Sequence, residues 1–233
     1  MIRAYWKASL SPAYNFFLSL VLLIGYEGIF RLTGGSLSER NLIDQWLSRL
    51  VGWAAPHEWV ISLSVILLGL AYVYGIRRER IEMTEWVFLI MIGEAAAWAL
   101  LLYQGLPLLT TRLGGSPPFT QLDWLSSDLW RSIAQCMGAG FYEELFFRVL
   151  LVEALLLLVT GFRPRTATAF QQMAVWIFSA ALFSAAHFIY ESPSTYAFLY
   201  RFIFGLFMSG LYILRGFGIS AWTHALYDIY VLL

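Results

Sequence analysis

Hydrophobic residues in this chain come in long, nearly uninterrupted runs separated by short polar stretches. A helix needs about 20 mostly apolar residues to cross about 30 Å of hydrocarbon. Seven runs are read as such helices, at residues 12–31, 58–76, 84–105, 131–159, 169–190, 197–214 and 217–233. Between the first two, Leu42, Ile43, Trp46, Leu47 and Leu50 recur at helical spacing, while Glu39, Arg40, Asp44 and Arg49 fall largely elsewhere around the axis. That pattern predicts an amphipathic helix lying in the membrane interface. The stretch from Leu106 to Trp130 carries Gly114, Gly115, Pro117 and Pro118 at its centre and Trp124 and Trp130 near its end, which predicts an irregular interfacial loop, in part re-entrant. There is no internal repeat and no low-complexity segment, so residues 1–233 read as one integral membrane domain. The expected fold class is all-α: a polytopic membrane helical bundle of about seven transmembrane helices plus one interfacial amphipathic helix.

Composition sharpens this picture. Hydrophobic residues make up 60% of the chain and charged residues 13%, where a soluble domain carries about a quarter charged. Fifteen Lys and Arg balance fifteen Asp and Glu, so no basic excess directs the chain to nucleic acid. The single cysteine, Cys136, excludes an intramolecular disulfide and a thiolate cluster. Arg3 and Lys7 precede an apolar run that begins near Tyr14, as in a secretory signal, but the run continues to about Phe30 without a small-residue cleavage site, so a retained first helix is expected. With the N-terminus in the cytoplasm, Arg3, Lys7, Arg77, Arg78, Arg80, Arg163, Arg165 and Arg215 lie inside, against Arg40, Arg49, Arg112 and Arg131 outside. This bias favours an N-in, C-out protein of the cell membrane.

Ionisable residues inside apolar helices are costly and tend to be paired, functional or both. Glu27 and Arg31 are four apart near the end of the first run and are expected to pair on the helix surface. Glu94, in mid-span, suits either a bond to another helix or the lining of a cavity. The fourth run contains Phe141-Tyr142-Glu143-Glu144-Leu145-Phe146-Phe147-Arg148. Counting from Arg131 at about 1.5 Å per residue places Glu143 near mid-membrane. Glu144 and Arg148 share one helix face and can form a salt bridge, whereas Glu143 points about 100° away and is left for other work. Of three histidines, His57 sits at a span boundary beside Glu58 and needs no function. His187, one turn after Phe183, and His224, one turn before Asp228, fall within apolar runs. Each alone suits a helix-to-helix hydrogen bond. Together with Glu143 and Glu144 they satisfy one another only if the helices bring them together.

Glu-Glu-x-x-x-Arg, Phe-x-x-x-His and His-x-x-x-Asp follow in order on successive apolar helices, at Glu143, Glu144 and Arg148, at Phe183 and His187, and at His224 and Asp228. In this the stretch 131–233 resembles the CAAX-protease and bacteriocin-processing family of intramembrane endopeptidases. The chain departs from many members at Asp228, where they have Asn. The motifs of other intramembrane proteases, His-Glu-x-x-His, Gly-x-Gly-Asp and Gly-x-Ser-Gly, do not occur.

The resemblance implies hydrolysis of a peptide bond in a membrane-anchored protein or peptide, within the lipid bilayer. The expected catalytic residues are Glu143, His187, His224 and Asp228, supported by Glu144, Arg148 and Phe183. Glu143 and His187 would activate water; His224 would stabilise the oxyanion, together with a protonated or water-bridged Asp228 or oriented by an ionised one. No cofactor is expected. The alternative within the same chemistry is a zinc ion held by Glu143, His187 and His224. The alternative outside it is a proton-coupled transporter or an immunity-type membrane protein using the same groups as a relay or dock.

Overall fold

The apolar runs fold as helices whose ends are set by the polar residues between them. A computed structural model describes residues 2–51, 59–77, 83–112, 129–163, 166–189 and 191–233. Helix α1 spans Ile2–Ser9 and α2 spans Pro12–Thr33. The Ser11 side chain accepts a hydrogen bond from the Ala13 amide, Pro12 occupies the first turn, and α2 stops at Gly34, whose φ of 64° favours glycine. A short 3-10 turn at Leu37–Glu39 leads into α3 at Leu42–Val51. Helix α4 covers Trp59–Leu70 and continues as a π-helical turn over Ala71–Ile76, and α5 runs from Glu85 to Arg112. Helices α6 (Leu129–Gly138) and α7 (Leu151–Val159) form one long rod, joined by π-helical segments at Ala139–Glu143 and Leu145–Leu150. Helices α8 (Ala169–Ala186), α9 (Thr195–Arg215) and α10 (Phe217–Leu232) complete the bundle.

Among the described residues no strand occurs, and the architecture is an all-α membrane helical bundle. Among the described residues, four helices are both long and apolar enough to cross a membrane: Pro12–Thr33, Glu85–Arg112, Ala169–Ile189 and Thr195–Arg215. The other three runs are helical too but differ in kind: Trp59–Gly75 is short, the α6–α7 rod is interrupted by charge, and α10 has 16 residues.

Helix α10 lies at the centre, packed against α2, α5, α6 and α9. It approaches the π-helical segment of the α6–α7 rod closely because Gly140 has no side chain: a Cβ there would run into the Ala221 carbonyl and come within 2.7 Å of Ala225 Cβ. The tight α9–α10 turn passes through Gly216 at φ 84° and is tied to α2, where Asn15 Oδ1 accepts the Gly218 amide at 2.7 Å. The Trp222 indole donates to the Leu18 carbonyl at 2.8 Å. Buried Tyr26, Met91, Ala95, Phe141, Phe183, Met208 and Ile219 fill the space between the helices.

Several polar expectations change once the helices are assembled. Glu27 does not pair with Arg31 on its own helix; it meets Arg40 from the next segment and receives the Ser62 hydroxyl. Arg31 is exposed, whereas Arg40 is buried between Glu27 and Asp44, the latter at 2.5 Å. Arg215 bonds Glu94 at 2.5 and 2.7 Å and lies 3.7 Å over the Trp6 ring, and Tyr5 donates to the same glutamate at 2.5 Å. Glu94 therefore serves packing of α1, α5 and α9. Arg40 and Arg215, both counted above as loop charges, are internal ion-pair partners.

The predicted loop does not begin at Leu106. Helix α5 continues through Arg112 despite Pro107, with Leu106 and Thr110 buried and the Thr110 hydroxyl bonded to the Leu106 carbonyl at 2.9 Å. The turn-forming residues that suggested a loop, Gly114, Gly115, Pro117, Pro118 and Trp124, lie outside the described residues, as do His57, Glu58, Arg78, Arg80 and Arg165.

Candidate active site

Glu143 and Glu144 sit where the α6–α7 rod changes from α to π hydrogen bonding, a device that is uncommon in helices and frequent at functional sites. The carbonyl groups of such a segment need partners from elsewhere. Ser179 of α8 supplies one, donating to the Phe147 carbonyl at 2.6 Å.

Glu144 is completely buried and fully engaged. Its Oε1 accepts from His224 Nδ1 at 2.8 Å, and its Oε2 accepts from the Ser220 hydroxyl at 2.7 Å and lies 3.2 Å from Arg148 Nε. Arg148 extends onward over the Phe183 ring, 4.6 Å from its centroid, and donates weakly to the Gly205 carbonyl at 3.4 Å. The expected pair of Glu144 and Arg148 is thus present, and it links the rod to α8, α9 and α10. Phe183 stands at the junction, edge-on to both His187 and His224 with centroids 5.0 and 6.0 Å away.

His187 ends α8 with its Nδ1 donating to the Phe183 carbonyl at 2.9 Å, which leaves Nε2 as the nitrogen with a lone pair in the neutral ring. The Glu144 carboxylate holds the His224 ring by Nδ1, so His224 Nε2 is directed to Glu143 and Asp228, 3.9 and 3.6 Å away. Glu144 and Asp228 thus face opposite nitrogens of the His224 ring.

All four predicted catalytic residues line a single cavity of about 570 Å³. Glu143, His187, His224 and Asp228 share it with Phe147, Phe183 and Phe204. Its polar rim is formed by Ser38, Glu39, Arg49 and Glu191, at the end of the bundle that carries α3, the C-terminus of α8 and the N-terminus of α9. Among the described residues, no group of three His, Cys, Asp or Glu side chains is placed to hold a metal ion.

Sequence reasoning missed Asn41. Its side-chain amide donates to Glu143 Oε1 at 2.9 Å, while Glu143 Oε2, also buried, has no hydrogen-bond partner. The amide is held by both ends: Asn41 Oδ1 accepts from the Ile43 amide at 2.9 Å, and the Asn41 backbone N–H donates to the Tyr26 hydroxyl at 3.1 Å. That hydroxyl donates in turn to Asp44 at 2.8 Å. Burial pushes the Asp44 carboxyl above its ordinary value, opposed by the adjacent Arg40 guanidinium. At the rim, the Ser36 backbone N–H and hydroxyl, helped by Arg131, hold Glu39 below the ordinary carboxylate value. Helix α3, expected to lie flat on the membrane surface, is thus also a wall of the cavity. The only sequence signal for this was an asparagine immediately before an amphipathic helix, which also fits a helix cap.

Residues 125–230 match the model of the Rce1-like family, described as type II CAAX prenyl endopeptidase Rce1-like. No curated protein and no solved structure gives a significant match. The matched stretch, somewhat less than half of the chain, contains the three motifs and most of the cavity wall, so it is in residues 125–230 that the chain is similar to the Rce1-like family.

Proposed function

We propose that this protein is a glutamic-type intramembrane endopeptidase that hydrolyses a peptide bond of a membrane-anchored protein or peptide with water activated by Glu143 and His187. The observation that carries the reading is the convergence of Glu143, His187 and His224, from three separate helices, on one cavity with apolar walls. Glu143 Oε1 is fixed by Asn41 while Oε2 lacks a partner, so this oxygen is available to take a proton from water. The hydroxide oxygen then bonds to the scissile carbonyl carbon. His224, held by Glu144, presents Nε2 to the developing oxyanion. When the carbon–nitrogen bond breaks, the proton taken by Glu143 passes to the leaving amine, directly or through His187 Nε2. Asp228, 3.6 Å from His224 Nε2, supports the protonated imidazole.

Glu144, Arg148 and Phe183 act on this chemistry through His224 and the helix contacts they maintain. No cofactor takes part in the scheme. Placement in the cell membrane with a cytoplasmic N-terminus is supported by the remaining loop charges, Arg3, Lys7, Arg77 and Arg163. The test is to express the chain beside candidate membrane-anchored substrates and identify cleaved ends by mass spectrometry. Ends produced by wild type and absent with Glu143→Ala are expected; identical ends from both would overturn the proposal.

A further inference from the structure

A buried hydrogen-bond network rigidifies its surroundings when every donor and acceptor in it is satisfied. One such network lies beside the cavity and joins α2, the start of α3, α4 and the first π-helical segment of the α6–α7 rod. At its centre Arg40 pairs with two carboxylates, Glu27 and Asp44. From Asp44 one arm runs to Tyr26, whose hydroxyl donates to Oδ2 at 2.8 Å and accepts from the Asn41 backbone N–H at 3.1 Å. The Asn41 side chain then reaches Glu143 Oε1 at 2.9 Å. From Glu27 a second arm runs to Ser62 and on to Tyr142, whose hydroxyl lies 2.7 Å from Ser62 Oγ.

The direction of each bond follows from counting protons. The Ser62 hydroxyl gives its one proton to Glu27, so Tyr142 is the donor to Ser62. The Tyr26 hydroxyl gives its proton to Asp44 and can only accept from Asn41. No hydroxyl in either arm has a second arrangement. The rings are fixed as well. Tyr26 and Tyr142 are completely buried and stand edge-on with centroids 5.6 Å apart, and the Arg40 guanidinium carbon lies 4.9 Å from the Tyr26 centroid. Gly138 leaves room for this ring: a Cβ there would come within 2.5 Å of Tyr26.

We infer that Tyr26 and Tyr142 are positioning residues for Glu143, Tyr26 acting through Asn41 and Tyr142 through the backbone. This rests on the endopeptidase reading. Both arms end at the same carboxylate: Asn41 holds its Oε1, and Tyr142 is the residue before it in a π-helical turn. A network that only tied α2, α3 and α4 together would need neither end. One restraint on the side chain and one on the backbone together set where Oε2, the oxygen without a partner, points. Arg40, the cationic anchor of both, lies in the part of the chain that precedes all three motifs.

The test reads the side-chain carboxyl resonance of Glu143 by solid-state carbon NMR, in full-length protein with carboxyl-labelled glutamate reconstituted in phosphatidylcholine. The resonance is identified as the one lost in Glu143→Gln. Asn41→Ala removes the donor and should move it. Tyr26→Phe should move it in the same direction by a smaller amount, and should add nothing in the Asn41→Ala background, because it acts only through Asn41. Tyr142→Phe should move it too, and should add to Asn41→Ala, because it acts by another route. Tyr14→Phe is the control: Tyr14 is buried on the same helix, its hydroxyl accepts the Thr84 amide, and its loss should leave the resonance in place. On a substrate that the wild type cuts, kcat should fall roughly three- to tenfold in Tyr26→Phe with KM unchanged.

An unmoved resonance in folded Asn41→Ala, Tyr26→Phe or Tyr142→Phe, an equal shift in Tyr14→Phe, or additivity other than this would overturn the assignment. The two arms are read separately, so misfolding of one phenylalanine variant leaves the other to decide. Failure of the endopeptidase reading shows independently, as the same shifts in a chain whose wild type cuts nothing.

Discussion

The Asn41 side-chain amide bonds Glu143 across 102 residues of sequence, at 2.9 Å. It joins the proposed catalytic carboxylate to a segment outside the matched domain. A hydrogen bond to a charged group contributes about 1.5–3 kcal/mol, which as lost transition-state stabilisation corresponds to roughly ten- to a hundredfold in rate. Asn41→Ala is accordingly expected to lower kcat by at least about tenfold with little change in accumulation or KM. Asn41→Asp, which places a second carboxylate against Glu143, should be worse and should improve as pH falls. Unchanged kcat in both variants would remove Asn41 from the site.

Arg148→Ala should act differently from substitutions at the cavity surface. Arg148 is 1% exposed and Glu144 is fully buried, so deleting the arginine leaves the carboxylate without its compensating charge, at a cost of about 3–5 kcal/mol. Folded protein should fall along with activity, measured by detergent-solubilised yield and thermal unfolding. Glu143→Gln, His187→Ala and His224→Ala should instead lose proteolysis while the protein still inserts and accumulates. Normal yield and melting of Arg148→Ala would count against the structural role of the pair.

Water activation by Glu143 and His187 alone predicts indifference to chelators. Purified enzyme dialysed against 1,10-phenanthroline should retain its rate, and metal analysis should find zinc well below stoichiometric amounts. Full inhibition with recovery on adding zinc would instead assign Glu143, His187 and His224 to a metal site.

The orientation proposed here puts the cavity mouth on the non-cytoplasmic side, because the rim residues Glu39, Arg49 and Glu191 lie at the end of the bundle opposite the N-terminus of α2. Single cysteines at Ser192 and Arg163, in a Cys136→Ser background, report it through membrane-impermeant maleimide. Ser192 should label from outside and Arg163 only after permeabilisation. The reverse pattern would invert the topology and leave the catalytic assignment intact.

Glu143, His187 and His224 were legible in the sequence because ionisable side chains are rare in apolar helices and their order matched a known set of motifs. The bond from Glu144 to His224 was not, since helical spacing relates Glu144 to Arg148 on the same helix but says nothing about which neighbour faces its second oxygen. Glu27 shows the same blindness: the four-residue rule pointed to Arg31, and the partner was Arg40 from the next segment. Asn41, Arg40 and Asp44 looked like the solvated face of an amphipathic helix, because a polar residue facing a cavity and one facing water leave the same periodicity. The end of α5 was placed too early because glycines and prolines further on drew the boundary back from Arg112.

The capping of α10 by Asn15 has a consequence for how this chain can change over evolutionary time. A Cβ on Gly216 or Gly218 would run into Asn15, and Gly216 also needs its φ of 84°. The asparagine and the two glycines therefore form an interlocked set: none can be replaced singly without loosening the turn that aims His224. A hybrid that kept residues 125–230 and took its first half from an unrelated membrane protein would inherit the lock without its key. Exchange between relatives should succeed only where the incoming half brings its own asparagine to that place.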